Sequence, residues 1–227
     1  MSIDIKSVSL SINESDIINN ISLKIEPGQL TTILGPNGSG KSTLLKIISG
    51  DILPSKGSIS MDTISLNDIG VKQQALKRSV MSQSQQVLYD YSAEEIIEMG
   101  WVDDGDIGNS HKIKQKCMNV AKECGVSHLL KRNFNTLSGG EQRRVHFART
   151  LLQIDHNYEA VGSRYMFLDE PTANLDLSFE LQLIQLLKIK SKDGIGVLLI
   201  MHDLNLASKF SDKIAILNKG SLSAFGT

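Results

Sequence analysis

The segment from Gly35 to Ser42, GPNGSGKS, fits the pattern G-x-x-x-x-G-K-[ST] in full. A loop that takes phosphates out of water must present many N–H donors at close range, and glycines let the backbone come near enough to do so. Gly35, Gly38 and Gly40 supply that freedom, with Pro36, Asn37 and Ser39 completing the turn and Thr43 following it into a helix whose N-terminus adds partial positive charge. Lys41 would bridge the β- and γ-phosphates of a nucleoside triphosphate, and the Ser42 hydroxyl would ligate Mg²⁺. Further along, YMFLDE places Asp169 and Glu170 after four apolar residues. An Asp at the carboxyl edge of a buried strand can hold the metal directly or through water, and the next carboxylate, aimed elsewhere, can act as general base on an attacking water. LLIMHD sets His202 at a comparable edge, within reach of a γ-phosphate, and Gln83 could ligate Mg²⁺ or the water. A second serine-glycine-glycine turn, in TLSGGEQRRVHFART, opens another polar helix. By its residues alone it is either an ordinary N-cap or a second anion-binding helix terminus.

These side chains need a scaffold that brings strand ends together. The first 34 residues read as short strands, IDIKSVSLSI and ISLKIE, a turn at Pro27-Gly28 and the apolar run LTTIL. LTTIL, the glycine loop and KSTLLKIISG then read as strand, loop and helix, with Gly50 as the stop. GSISMD and RSVMSQ are further strands. From 92 to 135 the texture is helical: SAEEIIEMG opens in capping-box order, and HKIKQKCMNVAKECG repeats apolar positions at Ile113, Cys117, Val120 and Ala121. The last third alternates helix 141–153, strand YMFLD, helix 178–191, strand GVLLIMH, a helix from 203 and strand KIAILN. That alternation predicts an α/β fold with a largely parallel sheet covered on both faces. The chain stops just after SAFGT, in the manner of a truncated end.

Length and composition bound the rest. A chain of 227 residues suits one compact domain or a core with an inserted lobe, and 41% hydrophobic with 22% charged residues is ordinary for a globular protein. A formal charge of −1 gives no basic stripe for a polyanion. Cys117 and Cys124 lie seven apart, which suggests neither a disulfide framework nor a zinc site. The N-terminus has neither a signal-peptide pattern nor a spanning stretch, so the expected compartment is a reducing cytosol.

In order, GPNGSGKST, MSQ, LSGGEQ, FLDEPTANLD and LIMHD resemble the nucleotide-binding subunit of ATP-binding-cassette (ABC) transporters over essentially the whole chain. The resemblance implies one P-loop NTPase cassette over 1–227, with core 1–83 and 141–227, an N-terminal antiparallel β subdomain, and an inserted α-helical subdomain at about 84–140. It implies ATP and Mg²⁺ as cofactors, with Ser42, Gln83 and Asp169 at the metal and Glu170, His202 and Gln83 as catalytic base, switch and lid. In this family two cassettes pair head to tail, so Ser138, Gly139, Gly140 and Glu141 would meet the partner's ATP, and Asp176 in ANLD would lie in a loop joining the two sites. Spacing to ISLKIE places Ile12 where many relatives carry an aromatic residue on the adenine. The implied partners are a second copy, an integral membrane permease and, indirectly, a periplasmic or lipoprotein substrate-binding protein, with no nucleic acid. The implied location is peripheral, on the cytoplasmic face of the membrane. A permease helix would dock near QQVLYDYSAEEIIEMGW, with Tyr89 and Tyr91 as contacts and Trp101 in the core.

Within the family, EEIIEMG and MHDLNLASKFSDKIAILNKGSL resemble importers of iron chelates and related large ligands, and the long connector IDHNYEAVGSR is similar to that of haemin-import ATPases, which implies haem as cargo, with ferric siderophore or vitamin B12 import as the alternative. A soluble ABC ATPase acting on nucleic acid or ribosomes is a different class. Its members carry coiled-coil insertions or tandem cassettes, and this chain has neither. A non-hydrolysing nucleotide sensor is opposed by Glu170 and His202 together.

Overall fold

The computed structural model describes residues 1–13, 15–83, 87–102, 110–155, 162–173 and 175–227. Two sheets organise it. β1 (Ile3–Ile12), β2 (Ser15–Ile25), β4 (Lys56–Met61) and β5 (Ile64–Ser65) form an antiparallel sheet in the order β2-β1-β4-β5. β1 alternates buried Ile3, Ile5, Val8 and Leu10 with more exposed residues, the pattern of a sheet with one face inward.

The second sheet has the order β10-β9-β3-β8-β7-β6. Its members are β3 (Leu30–Leu34), β6 (Arg78–Met81), β7 (Arg164–Asp169), β8 (Ile195–Ile200), β9 (Lys213–Asn218) and β10 (Ser221–Gly226). Every pairing is parallel except β9 with β10. β3 and β8 are buried at every position, as strands covered on both faces must be. The period of two then sorts their side chains into two cores. Met166 and Leu168 of β7, with Val197 and Leu199 of β8, pack on one side. Tyr165, Phe167, Leu198 and Ile200 pack on the other, against the antiparallel sheet and α1 (Lys41–Ser49). The register is continuous across the strands that end at the site: Met81 pairs with Leu168, Leu168 with Leu199, and Leu199 with Thr32.

The first core is closed by α3 (Ala93–Glu98), α4 (Ser110–Glu123), α5 (Gly139–Ile154) and α6 (Leu177–Lys192). The expected capping box of α3 is present, with Ser92 and Glu95 bonding reciprocally. α7 (Leu204–Phe210) is capped by Asp203, whose carboxylate accepts from the Asn205 and Leu206 N–H groups. α2 (Val71–Lys77) has no buried residue at all, and therefore no apolar stripe by which a sequence could announce it. Cys117 and Cys124 are buried free thiols, and burial raises both pKa values, that of Cys117 to about 12. Trp101 and Tyr91 pack partly buried on the first core, while Tyr89 is 71% exposed. Among the described residues no helix is long and apolar enough to cross a membrane.

Candidate active site

The phosphate-type loop leaves β3 at Leu34 and enters α1 at Lys41, with Gly40 in the left-handed region as N-cap. It forms one wall of an open cavity of about 500 Å³, to which Asn37, Gly38, Gly40, Lys41, Ser42 and Thr43 contribute. Gly35, Pro36 and Ser39 do not line the cavity. Lys41 Nζ donates to the carbonyls of Gly35 at 2.9 Å and Pro36 at 3.0 Å. Those bonds curl the ammonium over the loop and hold it at the cavity wall. Buried Ser39 donates its N–H to Pro36, and its own carbonyl accepts from Gly220 N–H at 3.0 Å.

The opposite wall comes from the ends of three other parallel strands. Gln83 lies two residues beyond β6, Glu170 follows β7 directly, and His202 lies two residues beyond β8. All three line the same cavity. The Glu170 carboxylate joins them: Oε2 accepts from Gln83 Nε2 at 3.0 Å, and Oε1 bonds His202 Nε2 at 2.6 Å. Glu170 adopts φ 48°, a left-handed conformation costly for a residue with a Cβ, which turns its side chain away from the line of β7. A carboxylate held at both oxygens, one bond away from open cavity, is placed to orient a water and accept its proton.

Asp169 is 3% exposed, and its Oδ1 has no hydrogen-bond partner. Burial pushes its pKa above the ordinary range, while the Ser42 hydroxyl, Lys46 and Arg143 favour its charged form. A buried carboxylate oxygen left unsatisfied beside a serine hydroxyl at a phosphate loop suits a hard divalent cation. Among the described residues no three His, Cys, Asp or Glu side chains cluster to hold a metal by themselves. Phosphate oxygens and water would therefore complete the shell around Ser42 and Asp169, which is the usual way Mg²⁺ is held.

Ile12 does not line the cavity. It is 50% exposed and pairs with Ser15 beside the hairpin turn, whereas Ile17, two residues further along β2, contributes the cavity's apolar side chain. The hairpin folds over the loop through Asn19 N–H, which donates to Gly220 O at 2.8 Å, and this brings Ile17 to the wall. Ser138, Gly139, Gly140 and Glu141 also lie off the cavity. They form the start of α5, which begins at Gly139, two residues before the expected start. Ser138 and Glu141 form a reciprocal capping box, and the Ser138 N–H and hydroxyl hold the Glu141 carboxyl below its usual pKa. Asp176 caps α6, its Oδ1 accepting from Phe179 N–H at 3.0 Å. Asn174 of ANLD, Gln85 and Gln86 of QQVLYDY, and most of the connector IDHNYEAVGSR lie outside the described residues.

Sequence reasoning did not single out Arg143. Its guanidinium donates to the carbonyls of Gln83 at 2.8 Å, Asp169 at 3.3 Å, Pro171 at 3.4 Å, and Glu170. Its signal was faint because it looks like one more charge on a polar helix.

A glycine-loop nucleotide site at the carboxyl edge of a parallel sheet, joined to an antiparallel sheet and a helical flank, defines a P-loop ATPase cassette. The chain belongs to the ABC transporter family, whose profile matches residues 18–173. It is similar to the hemin import ATP-binding protein HmuV of Rhodopseudomonas palustris strain BisA53, with 37% identity over 99% of this chain and 82% of that protein. It is also similar to the hemin import ATP-binding protein HmuV of Hahella chejuensis, with 37% identity over 97% of this chain and 84% of that protein. Among solved structures, a dimeric bacterial ABC transporter cassette superposes with a TM-score of 0.87 at 27% identity, over 99% of this chain and 98% of that one. The same cassette bound to ADP and phosphate as a post-hydrolysis dimer gives equal values. The protein is thus an ABC-type ATPase that binds nucleotide.

Proposed function

We propose that this chain is the ATP-hydrolysing subunit of an importer that takes up haem through a membrane permease, working as a pair of cassettes closed by ATP. The observation that carries the hydrolytic part is the meeting of Gln83, Glu170 and His202 across the cavity from Lys41 and Ser42. In this reading the loop N–H groups and Lys41 bind the β- and γ-phosphates, and Ser42 and Asp169 hold Mg²⁺, which neutralises phosphate charge when bound. Glu170 accepts the proton of the attacking water, Gln83 orients that water and neighbours the metal, and His202 steadies Glu170 and faces the γ-phosphate.

Ser138, Gly139, Gly140 and Glu141 are absent from the cavity lining, which supports assigning them to the other copy's ATP. The exposed start of α5 offers N–H groups that α5 itself does not use. Asp176 then stands near the junction of the two sites. We take the helical segment of about 84–140 as an inserted lobe that docks the permease through the surface around Tyr89, which places the chain at the cytoplasmic face of the membrane. Ile12 is left at the edge of the adenine region, with Ile17 nearer to it.

The cargo rests on similarity to the hemin import proteins over nearly the whole chain. Reconstituting the chain with its co-purifying permease tests it: haem on its binding protein should stimulate ATP turnover more than ferric siderophore or cobalamin on theirs. A larger response to either of those would replace haem. Stimulation by nucleic acid without any by the permease would overturn the transporter assignment. Glu170→Gln should abolish turnover while leaving ATP bound, and unchanged turnover would remove Glu170 from its role.

A further inference from the structure

Arg143 sits on α5, five residues after the Ser138 cap, and its side chain reaches the segments that follow β6 and β7. Its neighbour Arg144 turns away, stacking over Phe179 at 3.9 Å and reaching Gly125 O at 3.5 Å. Adjacent helical residues face about 100° apart, so only Arg143 meets the strand ends. There it donates to four carbonyls, those of Gln83, Asp169, Glu170 and Pro171. A guanidinium has five N–H donors in a fixed plane, and no other side chain could satisfy so many acceptors at once.

Two of the four acceptors belong to the residues whose side chains are bonded to each other at 3.0 Å, Gln83 and Glu170. Glu170 holds φ 48°, a conformation that relaxes unless its surroundings over-determine it. Its N–H donates to Ile200 O at 3.1 Å and its carbonyl accepts from Ala173 N–H at 3.2 Å as well as from Arg143. Removing the guanidinium strips one anchor from a strained residue and from the Gln83 backbone in the same stroke.

From this we infer that Arg143 is a positioning residue for hydrolysis, fixing Gln83 and Glu170 in working register with one another and with the helix that starts at Ser138. This rests on Glu170 being the base. Because the clamp belongs to the helix whose N-terminus is offered to the second copy, any tilt of α5 is transmitted to Glu170 through a single side chain. Arg143 touches backbone, not nucleotide, so its removal should change the rate and not the binding.

The test uses the full-length purified chain and the variants Arg143→Gln and Arg143→Lys. Saturating-ATP turnover should fall on the order of 10–100-fold, the penalty expected for misplacing a catalytic group by about 1 Å. KM and the Kd for a fluorescent ATP analogue should stay within about twofold, since an interaction that acts only on the chemical step leaves uniform binding intact. Lysine should not restore the rate, because one ammonium cannot reach four carbonyls. Independently of turnover, amide exchange at residues 169–173 should quicken in both variants while exchange in β8 is unchanged. Wild-type rates with wild-type exchange would overturn the inference, as would a loss of rate matched by an equal loss of ATP affinity or by protection lost across the whole chain. If the glutamine variant does not fold, the lysine variant decides. Glu170→Gln measured alongside separates the two ideas: retained turnover there refutes the base, whereas the exchange at 169–173 still judges the clamp.

Discussion

Replacing Gly220 by alanine tests how the nucleotide site is fastened to the rest of the protein. Gly220 has φ 76°, which costs a residue with a Cβ roughly 1 kcal/mol. Its new methyl would stand 2.5 Å from Ile17 O and 3.1 Å from Ile17 C, both backbone atoms that cannot rotate aside. Reaching ordinary contact requires the two chains to part by roughly 1 Å. Two hydrogen bonds cross that seam, Asn19 N–H to Gly220 O and Gly220 N–H to Ser39 O. Weakening both at about 1 kcal/mol each brings the total to about 2–4 kcal/mol. For a domain of this size that is a fall in Tm of roughly 5–15 °C. Ile17 lines the cavity and Ser39 belongs to the phosphate loop, so ATP affinity should drop as well, on the order of tenfold. Gly194→Ala provides the control: φ is 89° there, but nothing lies within 4 Å of the added methyl, so only the conformational cost of about 1 kcal/mol should appear, with nucleotide binding untouched. Thermal melts with and without ATP, and nucleotide titrations, read both variants. Equal shifts in Tm for the two would refute the contact argument.

Phe167 is fully buried in β7, and Phe167→Ala should cost about 3–5 kcal/mol in denaturant unfolding, most of it as an unfilled cavity beneath the site. Ser138→Ala removes the α5 cap, for which we expect about 1 kcal/mol of lost stability, undiminished ATP binding by the isolated chain, and loss of hydrolysis by the pair. Asp212 accepts from Leu30 N–H at 2.8 Å and Lys188 Nζ at 2.6 Å. Partial burial works against its charge, but Lys188 and that N–H win, and the folded pKa is lowered. Its stabilising contribution is present above the ordinary Asp pKa of about 3.9 and is lost as pH falls through the lower folded value. The stability difference between wild type and Asp212→Asn should therefore close in an acid titration below about pH 4, and a gap that persists at lower pH would remove the ion pair from the account.

What the sequence disclosed and what it hid follow from the same physics. The phosphate loop was legible because close approach to phosphate demands glycine at fixed offsets, and Asp169, Glu170 and His202 were legible because apolar runs deliver them to a strand edge. α3 declared its start through the Ser92–Glu95 capping box, whereas the two glycines after Ser138 blurred the start of α5, which the sequence set two residues late. α2 was silent because it buries nothing. The exchange of Ile12 for Ile17 at the cavity was hidden for another reason: which hairpin residue reaches the loop depends on the Asn19–Gly220 bond, between residues 201 positions apart. Arg143 was hidden because carbonyl acceptors leave no mark in sequence. Any residue can offer one, and only the fold gathers four.

The pairing of the parallel strands has a consequence of its own. Met81, Leu168, Leu199 and Thr32 form a single rank across β6, β7, β8 and β3. Counting forward, Gln83 and Glu170 each stand two places past that rank, and His202 and Gly35 three. The site is in this sense a finishing line, and its residues meet because four strands keep step. A strand that slipped by one place would carry its residue about 3.3 Å along, farther than any hydrogen bond can stretch, and would exchange its two cores at the same time. An error that spoiled the chemistry would thus set each buried side chain of the slipped strand against the wrong neighbours in both cores, so a misaligned site would also cost the packing on the two faces. The packing that buries β7 and β8 on both faces works as the proofreader of the catalytic geometry.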